Sequence, residues 1–277
     1  MPAGQAGAGD HILELGVRTK IMGVLNVTPD SFYDGGRYAG PVSAERRALE
    51  MEREGADLID VGGESSRPGA AIVSAAEEIR RVRPVVRRLK RSVKIPVSVD
   101  TRKAEVAHAA LDEGASVIND ISALGDRRMA RLAARYGAGL VLMHMRGDPS
   151  TMQKNPVYKN LITDILAYLR RAAGRALEAG VARDRIVVDP GFGFGKTAAH
   201  NFELLARLDE FAALKLPVLV GLSRKSFIGH ALGGAPADER LHGSVAAAAI
   251  AIRNGAHILR VHDVLPHAQT ARLVDHV

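Results

Sequence analysis

The 277-residue chain contains no cysteine, which rules out disulfides and thiolate zinc sites. That absence fits a reducing compartment, and a cytoplasmic location is expected. Tryptophan is also missing and aromatic residues make up 4% of the chain, which leaves little for nucleic-acid bases to stack on. No run of about 18 apolar residues occurs, so no transmembrane helix is expected. None of the ten histidines belongs to a His-Glu-x-x-His pattern, so a zinc ion held by the protein is not expected. Nor is there a Gly-x-Ser-x-Gly elbow to suggest a serine hydrolase. Residues 1–10 are Gly/Ala-rich, without the basic and apolar segments of a signal peptide, and read as a frayed tail.

What the chain does have is 47% apolar and 25% charged residues, enough for one large core in a single domain of roughly 250 residues. The formal net charge is +7, and the segment 80–91 (RRVRPVVRRLKR) carries that whole excess with no acidic residue. A nucleic-acid or anionic-membrane patch is one reading. The other, which the spacing of Ile79, Val82, Val86 and Leu89 favours, is the solvated face of an amphipathic helix. We therefore expect neither nucleic acid nor membrane as a partner. Ser74-Ala75-Ala76-Glu77 reads as a capping box opening that helix, and Pro84 as a kink within it.

One unit recurs four times: a polar helix end, Gly-Ala, one further residue, then a short apolar run closed by polar groups. It begins at Gly55, Gly114, Gly137 and Gly255. Glycine takes the left-handed position that ends a helix, and the buried parallel strand that follows is apolar on both faces. Further strands are read at 21–26, 95–100, 186–189 and 216–221, with helical spacing between them, as in Ala44, Ala48 and Met51 or Val106, Ala109 and Ala110. Eight strands, each followed by a helix, predict a single (β/α)8 TIM barrel over 20–277, preceded by a tail and barrel-bottom segment over 1–19. A doubly wound open sheet is the alternative.

Barrels of this kind carry their chemistry at the carboxyl ends of the strands. There the chain places Asn26, Asp60, Asp100, Asn119, His144, Asp189, the segment 223–225, Arg260 and His262. A single strand-end Asp or Asn is often the N-cap of the next helix, but nearly every strand ends this way. The segments NVTPDSFYDGG (26–36) and GGESSRPG (62–69) are longer than structural turns and read as lids over the active face. DPGFGFGKT (189–197) is not a phosphate loop, because Pro190 stands where the first glycine would be. It reads as a tight turn that sets Phe192 or Phe194 against a flat ligand, or as a cap on the barrel core.

Taken in order, NVTPDSFYDGG, DVGGESSRPG, SVDT (98–101), INDIS (118–122), MHMRGDP (143–149), DPGFGFGKT, GLSRKSFIG (221–229) and RVHDV (260–264) resemble the motif set of dihydropteroate synthases. The resemblance spans about residues 20–264, one motif per strand. It implies a transferase of folate biosynthesis that joins p-aminobenzoate to 6-hydroxymethyl-7,8-dihydropterin diphosphate, releasing pyrophosphate. The implied pterin site comprises Asp189, Asp100 and Asn119 at the pyrimidine edge, Lys225 on the ring acceptors, and Met143 and Gly221 beside them.

Arg260 and His262 match the family's anion-binding pair and, with Lys225, its catalytic positions. Asn26 matches a contact to magnesium, which arrives with the diphosphate. Ser66, where the family more often has threonine, Arg67 and Pro68 match the second loop, and Thr28, Pro29, Asp30, Ser31 and Phe32 the mobile first loop. Ser226, near Phe194, matches the contact to the benzoate carboxylate. The role of Asp60 stays open. Homodimers and sulfonamide inhibition are family expectations. The alternatives are a methyltetrahydrofolate methyltransferase-like barrel, which lacks the NVTPDSF loop and the Ser-Arg-Lys-Ser segment, and a pterin-binding relative without activity.

Overall fold

The computed structural model describes residues 4–8, 11–28, 40–65, 73–148, 151–153 and 155–277. Ten strands and nine α-helices are found among them. A hairpin, β1 (Gly4–Ala8) and β2 (His11–Leu15), precedes the barrel. The barrel strands are β3 (Lys20–Asn26), β4 (Leu58–Gly62), β5 (Val97–Asp100), β6 (Val117–Asp120), β7 (Gly139–Met143), β8 (Ile186–Asp189), β9 (Leu219–Val220) and β10 (Ile258–Val261). The intervening helices are α1 (Pro41–Glu54), α2 (Ala75–Ser92), α3 (Ala104–Asp112), α4 (Arg128–Tyr136), α5 (Leu161–Glu178), α6 (Ala198–Ala206), α7 (Ser226–Ala231) and α8 (Leu241–Arg253), with α9 (Val264–Val274) at the end.

All barrel neighbours pair in parallel, in the order β8-β7-β6-β5-β4-β3-β10-β9. The ring closes between Val188 and Val218, helped by Val188 N–H donating to the Pro217 carbonyl at 2.9 Å.

The four Gly-Ala repeats end helices as expected. Gly55, Gly114, Gly137 and Gly255 all have positive φ. The alanine after each donates its N–H five residues back, to Met51, Ala110, Ala133 and Ala251, at 2.9–3.0 Å. That bond satisfies a carbonyl the helix end would otherwise leave orphaned.

Strand alternation sorts the barrel residues into two faces. Ile21, Ile59, Val99, Ile118, Leu140, Val188 and Leu259 lie in the large cluster shared with the helices. Met22, Leu58, Val117, Val141, Val187, Leu219 and Ile258 form a separate cluster inside the ring. Two residues further along the same strands, on the same inner face, come Asp60, Asn119, Met143, Asp189, Gly221 and Arg260. An apolar floor thus lies one pleat below a polar mouth.

Leu15, 1% exposed, joins the floor cluster. The stretch read as a frayed tail instead pairs antiparallel, Gly4 opposite Leu15 and Ala8 opposite His11. Backbone pairing and a plug residue at its end hold a segment whose composition predicts little structure.

The basic segment lies on α2, which continues through Pro84. Val82, Val86 and Leu89 are buried and Ile79 is partly so, as the amphipathic reading requires. Ser74 Oγ accepts from Glu77 N–H at 3.2 Å. Glu77 does not complete a capping box, because its carboxylate takes Arg80 and Arg81. Arg83 and Arg87 pair with Glu113, and Arg88 with Glu45.

Candidate active site

The polar mouth is assembled around Asp60, which is fully buried at the middle of β4. Its Oδ2 accepts from Asn119 Nδ2 at 2.9 Å and from Arg260 Nε at 2.7 Å. Arg260 Nη2 donates onward to Asp100 Oδ2 at 2.7 Å. One chain of hydrogen bonds therefore crosses β4, β5, β6 and β10. Asp60, whose role the sequence leaves open, orients two of the predicted ligand contacts.

Asp60 and Asp100 beside it strengthen the preference of the buried Arg260 for its charged form and outweigh burial. Burial is the largest influence on Asp100 and, with Asp60 and Glu78 nearby, pushes its carboxyl up to about 7 against the pull of Arg260 and Lys225. Burial likewise pushes Asp189 up to about 6, although Gly191 N–H donates to its Oδ1 at 2.7 Å and Lys225, Lys196 and Arg260 favour the charged form. The mouth thus holds two desolvated carboxyls with their cations at hand, a preorganised receptor for a donor-rich heterocycle edge.

Beside these groups lies an apolar shelf of Ile121, Met143, Met145, Met152 and Phe194. Sequence reasoning had found Met143 and Phe194 but missed the other three. Met145 had a signal in the MHM spacing, since flexible, polarisable methionines suit the face of a ring; Ile121 and Met152 lie in other segments and had none. The two candidate phenylalanines separate: Phe192 is buried in the main core, 6.1 Å from Phe227, while Phe194 carries Lys225 Nζ 4.1 Å above its ring.

His262 follows β10, and its Nδ1 lies 3.1 Å from Ser223 Oγ. Burial, followed by the nearby charges of Arg260, Lys225 and Arg224, holds its pKa down to about 3. Its imidazole is therefore neutral, and either ring nitrogen that carries the proton can donate to an anion. Arg224 is occupied by Asp263 through two bonds, at 2.9 and 2.6 Å. Ser226 is exposed at the first residue of α7, next to Lys225.

Asn26 ends β3, and its Oδ1 flanks Gly62 together with Asp100. A methyl group on Gly62 would stand 3.5 Å from that oxygen and 3.8 Å from Asp100 Oδ2. Pro29, Asp30, Ser31 and Phe32 of the first loop and Ser66, Arg67 and Pro68 of the second lie outside the described residues, and Thr28 lies at the edge of the first gap.

Asp100, Asn119 and Arg260 are tied together by the bonds around Asp60, and Asp189 is faced by the charges of Lys225, Lys196 and Arg260. Residues 22–262 match the family of pterin binding enzymes. The dihydropteroate synthase of Escherichia coli K12 is 48% identical over 255 residues, covering 92% of this chain and 90% of that protein. Among solved structures, the Yersinia pestis dihydropteroate synthase in a sulfonamide drug complex superimposes with a TM-score of 0.92 at 45% identity, covering 98% of each chain. The Xanthomonas albilineans dihydropteroate synthase with 4-aminobenzoic acid does so with a TM-score of 0.93 at 42% identity, covering 98% of this chain and 97% of that one. The likeness extends over motifs, fold and nearly the whole length, and the chain belongs to the dihydropteroate synthase family of pterin-binding TIM-barrel enzymes.

Proposed function

We propose that this barrel mouth joins p-aminobenzoate to the exocyclic carbon of 6-hydroxymethyl-7,8-dihydropterin diphosphate by dissociative substitution, in the cytoplasm. The observation that carries the reading is the convergence of Asp100, Asn119, Asp189 and Arg260 one pleat above the apolar floor. Asp189 accepts from the 2-amino group and ring N–H, and Asn119 and Asp100 complete that edge. Lys225, standing over Phe194, donates to the ring's oxygen and nitrogen acceptors, while the methionine shelf covers its face.

The bond from the exocyclic carbon to oxygen breaks and its electron pair leaves with pyrophosphate. The electron-rich ring disperses the positive charge left on carbon. Arg260 and the neutral His262 donate to the departing oxygens, a stabilisation that grows as charge develops. The amine nitrogen of p-aminobenzoate then forms the new bond and releases its proton. That amine is neutral at pH 7, so no strong general base is required. The first loop (28–32), together with Ser66, Arg67, Pro68 and Ser226, forms the arylamine site. The sulfonamide and 4-aminobenzoic acid complexes of the relatives support a site of that kind.

Magnesium fits this mouth as an ion carried in with the diphosphate. Such an ion needs one or two protein oxygens, and the Asn26 amide oxygen beside the bare Gly62 offers one. Among the described residues no group of three acidic or histidine side chains could hold an ion unaided. When bound, magnesium would supply charge neutralisation of the leaving group.

The functional unit is a homodimer. Phe202 on α6, Leu232 after α7 and Ile250 on α8 are 40%, 47% and 48% exposed on helices that pack together, and a second copy would cover them. Ile250→Asp should convert a dimer to a monomer in sedimentation analysis; an unchanged mass would place the interface elsewhere.

The decisive assay follows pyrophosphate release from the pterin diphosphate in magnesium buffer, with and without p-aminobenzoate. Release coupled to dihydropteroate formation is expected. Absence of an arylamine-dependent product would reject the reading.

A further inference from the structure

Lys196 is 3% exposed, and no carboxylate hydrogen-bonds to it among the described residues. Its ammonium instead has three acceptors: the Gly191 carbonyl at 2.8 Å, the Phe194 carbonyl at 3.1 Å and His144 Nδ1 at 3.0 Å. Three acceptors match the three N–H groups of a protonated lysine. The lysine of a phosphate loop would reach outward to its ligand; this one turns inward and grips its own loop.

Two of the three acceptors lead to groups at the mouth. Gly191, held through its carbonyl, donates its N–H to Asp189 Oδ1 at 2.7 Å. Its φ is +74° and a Cβ there would collide with the His144 carbonyl at 1.9 Å, so the loop lies tight against β7. Phe194, held through its carbonyl, supplies the ring beneath Lys225. His144 takes the lysine's third N–H on Nδ1, which leaves its proton on Nε2, and its ring packs edge-on against Tyr168 at 4.8 Å.

We infer that Lys196 is a positioning residue of the heterocycle site, its buried ammonium fixing from below both the Asp189 carboxylate and the Phe194 ring. The inference rests on the reading of Asp189 as the pterin anchor. A buried cation without a bonded counter-ion is costly and would be replaced by a neutral side chain if bracing a turn were its whole task. Here its charge acts on Asp189 and favours the ionised form that accepts from the ligand.

Asp189 is faced by Lys196, Lys225 and Arg260, and Lys196 by Asp189 and Lys225 as well as His144. His144 also faces Arg146, Tyr158 and Tyr168. Burial is the largest influence on Lys196 and lowers it to about 7, so the ammonium dominates below that pH and is lost above it.

The test compares Lys196→Met with the parent enzyme and with Asp189→Asn. Affinity for free 6-hydroxymethylpterin is measured from pH 5.5 to 8.5, together with the KM for p-aminobenzoate. In Lys196→Met, pterin affinity at pH 6.5 should fall about tenfold, and its acid limb should move upward because Asp189 then ionises at higher pH. The KM for p-aminobenzoate should change much less. A folded Lys196→Met with parental affinity and an unmoved acid limb overturns the inference while leaving the Asp189 reading intact. Parental affinity in Asp189→Asn overturns both. Should Lys196→Met not fold, His144→Leu and His144→Gln take its place. Leucine removes an acceptor and should weaken pterin binding, whereas glutamine supplies one and should restore it. Equal affinity in the two variants overturns the proposal.

Discussion

The floor and the mouth of the barrel are built on the same strands, two residues apart, and obey opposite rules. Met22, Leu58, Val117, Val141, Val187, Leu219 and Ile258 meet Leu15 in one apolar cluster. Each such side chain, fully buried, contributes about 1.5–3 kcal/mol. One pleat higher the same inner face carries Asp60, Asp100, Asn119, Asp189 and Arg260, whose desolvation opposes folding and whose value is realised when a ligand pairs with them. A barrel separates the two tasks along its axis, so that changes in one layer need not disturb the other.

The sharpest way to break this contrast is Arg260→Ala. Turnover should fall about 10²–10³-fold in steady-state kinetics. Pterin affinity should fall as well, because Asp60 and Asp100 lose their shared partner. A variant that keeps parental kcat would reject the role given to Arg260.

In the floor, Met22→Ala should lower unfolding free energy by about 2–5 kcal/mol in urea denaturation and leave kcat/KM of the folded fraction unchanged. A kinetic defect without a stability defect would mean that the layers are coupled.

Asp189→Asn should do the reverse and stabilise the protein while removing pterin binding. The carboxyl sits near 3.8 ordinarily and near 6 in the fold. The folded state therefore holds its proton more tightly, and stability is lost as pH rises from about 4 through 6. The neutral amide escapes that loss, worth up to about 3 kcal/mol at pH 8 and less at pH 5. Equal melting temperatures of parent and variant at pH 8 would contradict this.

The smallest effect is expected away from both layers. Arg87→Ala on α2 removes an exposed pair with Glu113 and should leave the urea midpoint and turnover close to the parent's, because solvent screens such pairs; a clear drop in either would show that α2 is coupled to the barrel layers.

Much of this division is legible in the sequence. The Gly-Ala units marked four helix ends because a left-handed residue is needed there, and the polar strand ends named the mouth. The remainder depended on contacts remote in sequence. No local pattern distinguishes Phe192, packed on Phe227, from Phe194, two residues on and facing Lys225. The Gly/Ala-rich start has weak propensity for any element, and its pairing is decided by what lies opposite. Asp60 looked like any strand-end acid until Asn119 and Arg260 were found on its one oxygen. A neutral His262 likewise follows from burial beside other cations, which a linear chain does not display.

The shortest strand in the ring has a consequence for how the protein breathes. With β9 reduced to Leu219–Val220 and a single bridge joining Val188 to Val218, the stretch between β8 and β10 has the fewest ladder bonds and forms a natural seam. Amide hydrogen exchange should be fastest there in the empty barrel. A pterin anchored to Asp189 on one side and to Lys225 and Arg260 on the other would rivet that seam shut, so that occupancy is recorded as slowed exchange in strands that touch the ligand from both sides of the gap.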